Sequence, residues 1–152
     1  HDKDFLTVGS MGHCSSIALG LALAKPNRKT ICIDGDGSML MHLGSLTSIA
    51  SLKPPNFIHI LINNEVHESV GGQATAAKSI DLYSIVKSMG SHNLFLAKNI
   101  DELKQAMIDI KLKTGPSFLE IKIIPGSRRD LGRPTIKPVD NKKLFMNFLK
   151  NN

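Results

Sequence analysis

The 152-residue chain contains no Trp, one Tyr and only 5% aromatic residues. Lys and Arg outnumber Asp and Glu by 19 to 13, giving a net charge of +6, yet the basic residues are scattered and nowhere interleaved with aromatics. That absence argues against nucleic acid as a partner and for small anionic metabolites. Two cysteines, Cys14 and Cys32, are too few for a disulfide framework and suit reduced thiols of a cytoplasmic protein. No apolar run approaches the roughly 20 residues of a membrane span, and no signal-peptide pattern opens the chain. Initiator Met is missing too; His1 opens the chain, as expected of a piece of a longer protein. What remains, 41% hydrophobic and 21% charged, excludes disorder and fibrous repeats and is enough for one compact domain spanning 1–152.

Apolar periodicity divides that domain into alternating elements. Cys14 to Lys25 repeats small and apolar residues at helical spacing until Pro26-Asn27 stops it. Lys29 to Asp34 is β-branched and almost continuously apolar, the pattern of a strand covered on both faces. Ser38 to Leu52 returns to helical spacing, and Phe57 to Asn63 reads as a second buried strand. The loop Asn64 to Ser79 lacks periodicity and is long for a connection, which marks it as functional. A helix follows over Asp81 to Gly90, with an N-cap Asp and a terminal Gly. Then come a strand over His92 to Ala97, an amphipathic helix over Ile100 to Lys113 and a strand over Ser117 to Ile123. Residues 126–152 form a basic, Pro-rich loop and a short amphipathic helix over Asn141 to Asn151.

Strands separated by helices predict an α/β fold, a doubly wound parallel sheet with helices on both faces. Ligands of such folds gather at the carboxyl ends of the strands. Asp34 to Ser38 and Asn63 to Gln73 each follow a strand, so both should lie along one sheet edge. Asp36 stands between Gly35 and Gly37, Ser38 opens a helix, and Asn63-Asn64 come about two dozen residues later. A glycine-bearing helix start suits phosphate, and Asp and Asn oxygens suit Mg²⁺. An isolated Asp-Gly-Asp-Gly run is ordinarily a solvated turn; the later Asn pair and an upstream Gly9-Ser10-Met11-Gly12 turn weigh against that here.

Rival readings fit less well. An EF-hand needs Gly and Glu where this chain has Met39 and Ser45. No G-x-G-x-x-G follows any strand, which removes the signature of a dinucleotide site. His42 and His59, inside a helix and a strand, are expected to be satisfied or exposed structural residues, Met39 a core residue, and Cys14 an inert buried thiol.

Gly-Asp-Gly followed after a second strand by Asn-Asn resembles the thiamine diphosphate-binding motif. The segments GSMGHCSSIALGLALAKPNR, CIDGDGSMLMHLGSL, NNEVHESVGGQ and GSRRDLGRPT extend the likeness over essentially the whole chain. On them it resembles the C-terminal half of the phosphonopyruvate decarboxylase family, with the thiamine-binding subunit of sulfopyruvate decarboxylases nearby. The resemblance implies thiamine diphosphate and Mg²⁺ as cofactors. Asp36, Asn64 and the carbonyl of Val66 would be the metal ligands, and Gly37 and Ser38 would hold the diphosphate. Gly9, Ser10 and Met11 would hold the aminopyrimidine, Met11 as the apolar wedge. His13 and His67 are the candidate acids, and Arg128, Arg129 and Arg133 the candidate clamp for a phosphonate.

The implied reaction is non-oxidative decarboxylation of 3-phosphonopyruvate to phosphonoacetaldehyde and CO₂. Sulfopyruvate or another small anionic 2-oxo acid is the alternative substrate. Members of the family complete the site with a pyrimidine-binding domain that supplies a glutamate, and no second βαβ domain is found in these residues. The chain is therefore expected to be inactive alone and to work as an excised domain or natural subunit of a homo- or hetero-oligomer. A cofactor-binding or oligomerisation module without activity is the non-enzyme alternative.

Overall fold

Parallel pairing of apolar segments, with helices packed on both faces of the resulting sheet, generates the architecture. The computed structural model describes residues 2–90 and 93–151. It divides into two units: Gly12–Gly126, and a second in which the residues up to Met11 join those from Ser127 onward.

In the larger unit, β1 (Thr30–Gly35), β2 (Phe57–Asn63), β5 (Asn93–Ala97) and β6 (Ser117–Lys122) form a parallel sheet in the order β1-β2-β6-β5. Helix α1 (Cys14–Ala24) precedes the first strand, and α2 (Asp36–Met41), α3 (Ser45–Leu52), α4 (Leu82–Ser88) and α5 (Ile100–Leu112) lie in the connections between strands. A two-stranded antiparallel hairpin, β3 (Val66–His67) with β4 (Gln73–Ala74), stands apart from the sheet. On one sheet face Leu19, Leu46, Ile49 and Leu82 pack against Phe57 and Phe118. On the other, Ala106 and Ile110 of α5 pack against Ile60 and Leu119. Helices therefore cover both faces, as the alternating pattern predicts.

Two details differ from the expectation. β1 is not covered on both faces: it is an edge strand of this sheet, and Ile31 and Ile33 are 54% and 63% exposed. The α5 side of the core draws on β2, β5 and β6 and does not reach it. The single helix expected over Ser38–Leu52 begins earlier, at Asp36, and breaks in two at His42–Gly44. There the Ser45 N–H turns back to the His42 carbonyl at 2.9 Å and starts a fresh helix. The strand expected from His92 begins among the described residues at Asn93, His92 itself lying outside them.

Asn56 closes the α1–β1–β2 corner. Its side-chain nitrogen donates to the carbonyls of Ala22, Lys25 and Arg28 at 3.0, 3.0 and 2.7 Å, capping carbonyls that the end of α1 leaves open.

In the smaller unit, α6 (Pro138–Asn151) starts three residues before the expected Asn141, with Pro at its first position, where the missing N–H costs nothing. Asn141 accepts from the Leu6 N–H at 2.8 Å and donates to the Asp4 carbonyl at 2.9 Å. Phe5 packs on Phe145 with ring centroids 5.6 Å apart.

Candidate cofactor-binding site

β1 and β2 run parallel with Gly35 opposite Ile62, so Asp36 and the Asn63-Asn64 pair leave the sheet at one edge. Asp36 opens α2 and is 2% exposed. The chain then passes through Asn64 and Glu65 into the β3–β4 hairpin, which folds back over the start of α2. Three contacts hold it there. Thr75, one residue past β4, donates its hydroxyl to Asp36 Oδ2. The Thr75 N–H donates to the Glu65 carbonyl at 2.9 Å. The His67 ring lies against Gly37, where the absence of a side chain is required because a methyl group would overlap the imidazole.

The Asn pair is held by its own short-range bonds. Asn64 Oδ1 accepts from the Val66 N–H, and Asn63 Oδ1 from the Glu65 N–H, both at 3.2 Å. Glu65 takes a left-handed conformation, φ 63°, which these Asx-type turns accommodate. Behind them Asn63 Nδ2 donates to Glu120 Oε1 at 2.7 Å, and Lys122 Nζ lies 2.9 Å from the same oxygen. Asn63 and Glu120 are fully buried, so the base of the loop rests on a charged network inside the core.

On the opposite side of α2, the Gly12 N–H donates to Ser38 Oγ at 3.0 Å. Next to it the rings of His13 and His42 lie tilted at 49° to each other with centroids 4.3 Å apart. Asp36, Gly37, Ser38, Val66 and His67 thus come together around one short helix, with His13 near its Ser38 side. Gly9, Ser10, Met11, Arg128, Arg129 and Arg133 belong to the smaller unit. Within it Gly9 is left-handed, φ 78°, in a turn where the Ser10 N–H donates to the Thr7 carbonyl at 3.4 Å. The three arginines are exposed, and Arg128 Nε approaches Asp130 at 3.5 Å.

Sequence reasoning missed Thr75, His42, Glu120 and Lys122. Glu120 alone carried a signal, since a carboxylate interrupts the apolar run of a core strand in SFLEIKI.

The thiamine pyrophosphate enzyme C-terminal TPP binding domain model matches residues 3–121. The chain belongs to the thiamine pyrophosphate enzyme family. It is 37% identical to the phosphonopyruvate decarboxylase of Streptomyces hygroscopicus, over 97% of this chain and 36% of that protein. It is 36% identical to the sulfopyruvate decarboxylase subunit beta of Methanococcus maripaludis, over 98% of this chain and 79% of that subunit. The chain thus spans a little over a third of the phosphonopyruvate decarboxylases it matches, 36% and 37% of their length. A Rhodococcus jostii thiamine diphosphate-dependent 4-hydroxybenzoylformate decarboxylase shares the fold at TM-score 0.67 and 21% identity, over 80% of this chain and 24% of that one.

The residues present fit a Mg²⁺–diphosphate group. Asp36 and Asn64 offer hard oxygens, the donor type Mg²⁺ selects. Asp36 spends one oxygen on Thr75, and a carboxylate has a second. Among the described residues no helix is long and apolar enough to cross a membrane.

Proposed function

We propose that this chain is the cofactor-binding part of a thiamine diphosphate- and Mg²⁺-dependent decarboxylase that converts 3-phosphonopyruvate to phosphonoacetaldehyde and CO₂. The observation that carries the cofactor assignment is the hydrogen bond from Thr75 to Asp36, which brings the loop that follows the Asn63-Asn64 pair against the carboxylate of the Gly-Asp-Gly turn. Bound thiamine diphosphate supplies the electron sink for loss of CO₂ from a 2-oxo acid.

The chain's own residues hold and orient. In this reading Asp36, Asn64 and the Val66 carbonyl hold Mg²⁺. Gly37 and Ser38 face the diphosphate, the Gly9 carbonyl and Ser10 face the aminopyrimidine, and Met11 wedges against it. His67 and His13 are the proton donors on either side of α2. Arg128, Arg129 and Arg133 suit the phosphonate, whose oxygens match guanidinium forks. A pyrimidine-binding domain, on a longer chain or a separate subunit, completes the site in an oligomer. The two free cysteines suit the reducing cytoplasm. Sulfopyruvate is the second substrate reading, favoured by the match to 79% of the beta subunit from Methanococcus maripaludis.

The test is calorimetric titration of thiamine diphosphate with and without Mg²⁺, followed by assay of CO₂ release from phosphonopyruvate and sulfopyruvate after a pyrimidine-binding partner is added. Mg²⁺-dependent binding that Asp36→Ala abolishes, with turnover only in the mixture, is the expected result. An Asp36→Ala protein that is folded and binds the cofactor unchanged overturns the site. Turnover of sulfopyruvate alone moves the substrate to the second reading.

A further inference from the structure

Below the Gly35–Ser38 turn, the inner face of the β1–β2 pair carries polar groups that the proposed reaction does not use. Cys32 and Asp34 are two residues apart on β1 and therefore share a face. His59 lies directly across from Cys32 on β2. One donor atom from each, sulfur, carboxylate oxygen and imidazole nitrogen, lies within 4.8 Å of the others. All three residues are buried, at 1%, 5% and 0% exposure. A fourth donor comes from the covering helix: Cys14, the first residue of α1, places its Sγ 3.4 Å from that of Cys32.

The two thiols partner each other, and Cys14 also donates to the Ile33 carbonyl at 3.5 Å, but Asp34 and His59 do not satisfy one another. His59 Nε2 and Asp34 Oδ2 are 3.7 Å apart, beyond hydrogen-bond distance. Neither imidazole nitrogen, nor that carboxylate oxygen, has a hydrogen-bond partner among the described residues. The His59 ring stands edge-on to Phe118, with centroids 5.4 Å apart, so its surroundings are apolar. The expectation that His59 is satisfied or exposed fails, because the residue that faces it across the sheet is a cysteine. Cys14 also departs from expectation: it is half-buried, and the hydrogen bond from Cys32 holds its thiol below the ordinary value against the opposing effect of burial. The same bond, with burial, raises Cys32. Polar atoms buried without partners are rare in folded proteins and ask for a ligand.

The geometry points to a thiolate-preferring divalent cation site, Zn²⁺ by class, built from Cys14, Cys32, Asp34 and His59. Two sulfurs, one nitrogen and one oxygen match the donor types of a four-coordinate Zn²⁺ shell. Bond lengths of about 2.0–2.3 Å place its donors within about 4 Å of one another, a modest contraction of the Cys32–Asp34–His59 cluster, into which Cys14 Sγ must swing from its place beside Cys32. Binding releases the two thiol protons to solvent and ties the first residue of α1 to β1 and β2. The site is separate from the all-oxygen set at Asp36 and Asn64, whose chemistry selects Mg²⁺.

Co²⁺ titration of the purified protein, kept reduced by a phosphine, tests the assignment because thiolate ligation of cobalt gives a near-ultraviolet charge-transfer band that oxygen ligation does not. The expected result is a band that saturates at one Co²⁺ per chain and is removed by added Zn²⁺. Cys32→Ser and Cys14→Ser lose the band, and Asn64→Ala keeps it. Should Cys32→Ser fail to fold, the half-buried Cys14→Ser and the conservative His59→Gln carry the comparison. Absence of the band in the folded, reduced protein, or a band unchanged in both cysteine variants, overturns the site.

Discussion

Thr75 is the residue on which the proposed metal ligand depends, and it sits 39 positions from it in sequence. The Asp36 carboxylate is buried, and burial of a charge is tolerated when donors compensate it. Thr75 supplies one such donor, while its own hydroxyl oxygen accepts from the Ala77 N–H at 3.3 Å. Thr75→Val keeps the shape and removes the hydroxyl, leaving Asp36 Oδ2 without that donor. The expected loss is roughly 1–3 kcal/mol of stability, the range for a buried charged acceptor deprived of a partner. It is read as a lower urea midpoint at constant slope. Thr75→Ser retains the donor and should recover most of it. An unchanged midpoint in Thr75→Val would mean that the bond contributes nothing to holding the hairpin over α2.

Among the elements, α4 offers a pH-dependent prediction with a definite sign. Its N-cap, Asp81, accepts from the Ser84 hydroxyl at 2.7 Å and from the Ser84 N–H at 3.1 Å. The hydroxyl first, then the amide, lowers its carboxyl from the ordinary 3.8. A carboxyl depressed on folding adds stability above its unfolded value and loses it as pH falls through the folded one. Wild type should therefore melt above Asp81→Ala at neutral pH, with the difference shrinking below about pH 4. A difference that persists in strong acid would show that the cap acts without its charge. This helix was legible in the sequence because cap, periodicity and terminal Gly90 all lie within ten residues. The parallel order and the shared edge were equally legible, since alternating periods dictate right-handed crossovers. The break at His42–Gly44 was not, because both halves keep helical spacing across it. Nor were the two-residue strands β3 and β4, which are too short for any period. The motif residues Asp36, Gly37 and Asn64 could be read from local spacing, whereas Thr75 and Glu120 act across the fold and leave almost no local trace.

For the molecule as a whole, the chain ends matter as much as the sheet. Residues up to Met11 and those from Ser127 onward make one unit, and Asn141 is its bridge, holding Leu6 and Asp4 from 135 and 137 positions away. The same unit carries Gly9, Ser10 and Met11, the turn proposed for the aminopyrimidine. Asn141 is only 4% exposed, and Asn141→Ala removes its two partly buried hydrogen bonds to Leu6 and Asp4, at a cost of about 0.5–1.5 kcal/mol each. If the two units have separate stabilities, that cost falls on the smaller one. Hydrogen exchange should then show faster exchange at Leu6 and along α6, while the amides of β1 and β2 keep their protection. Equal loss of protection in the sheet would mean that the two units unfold as one.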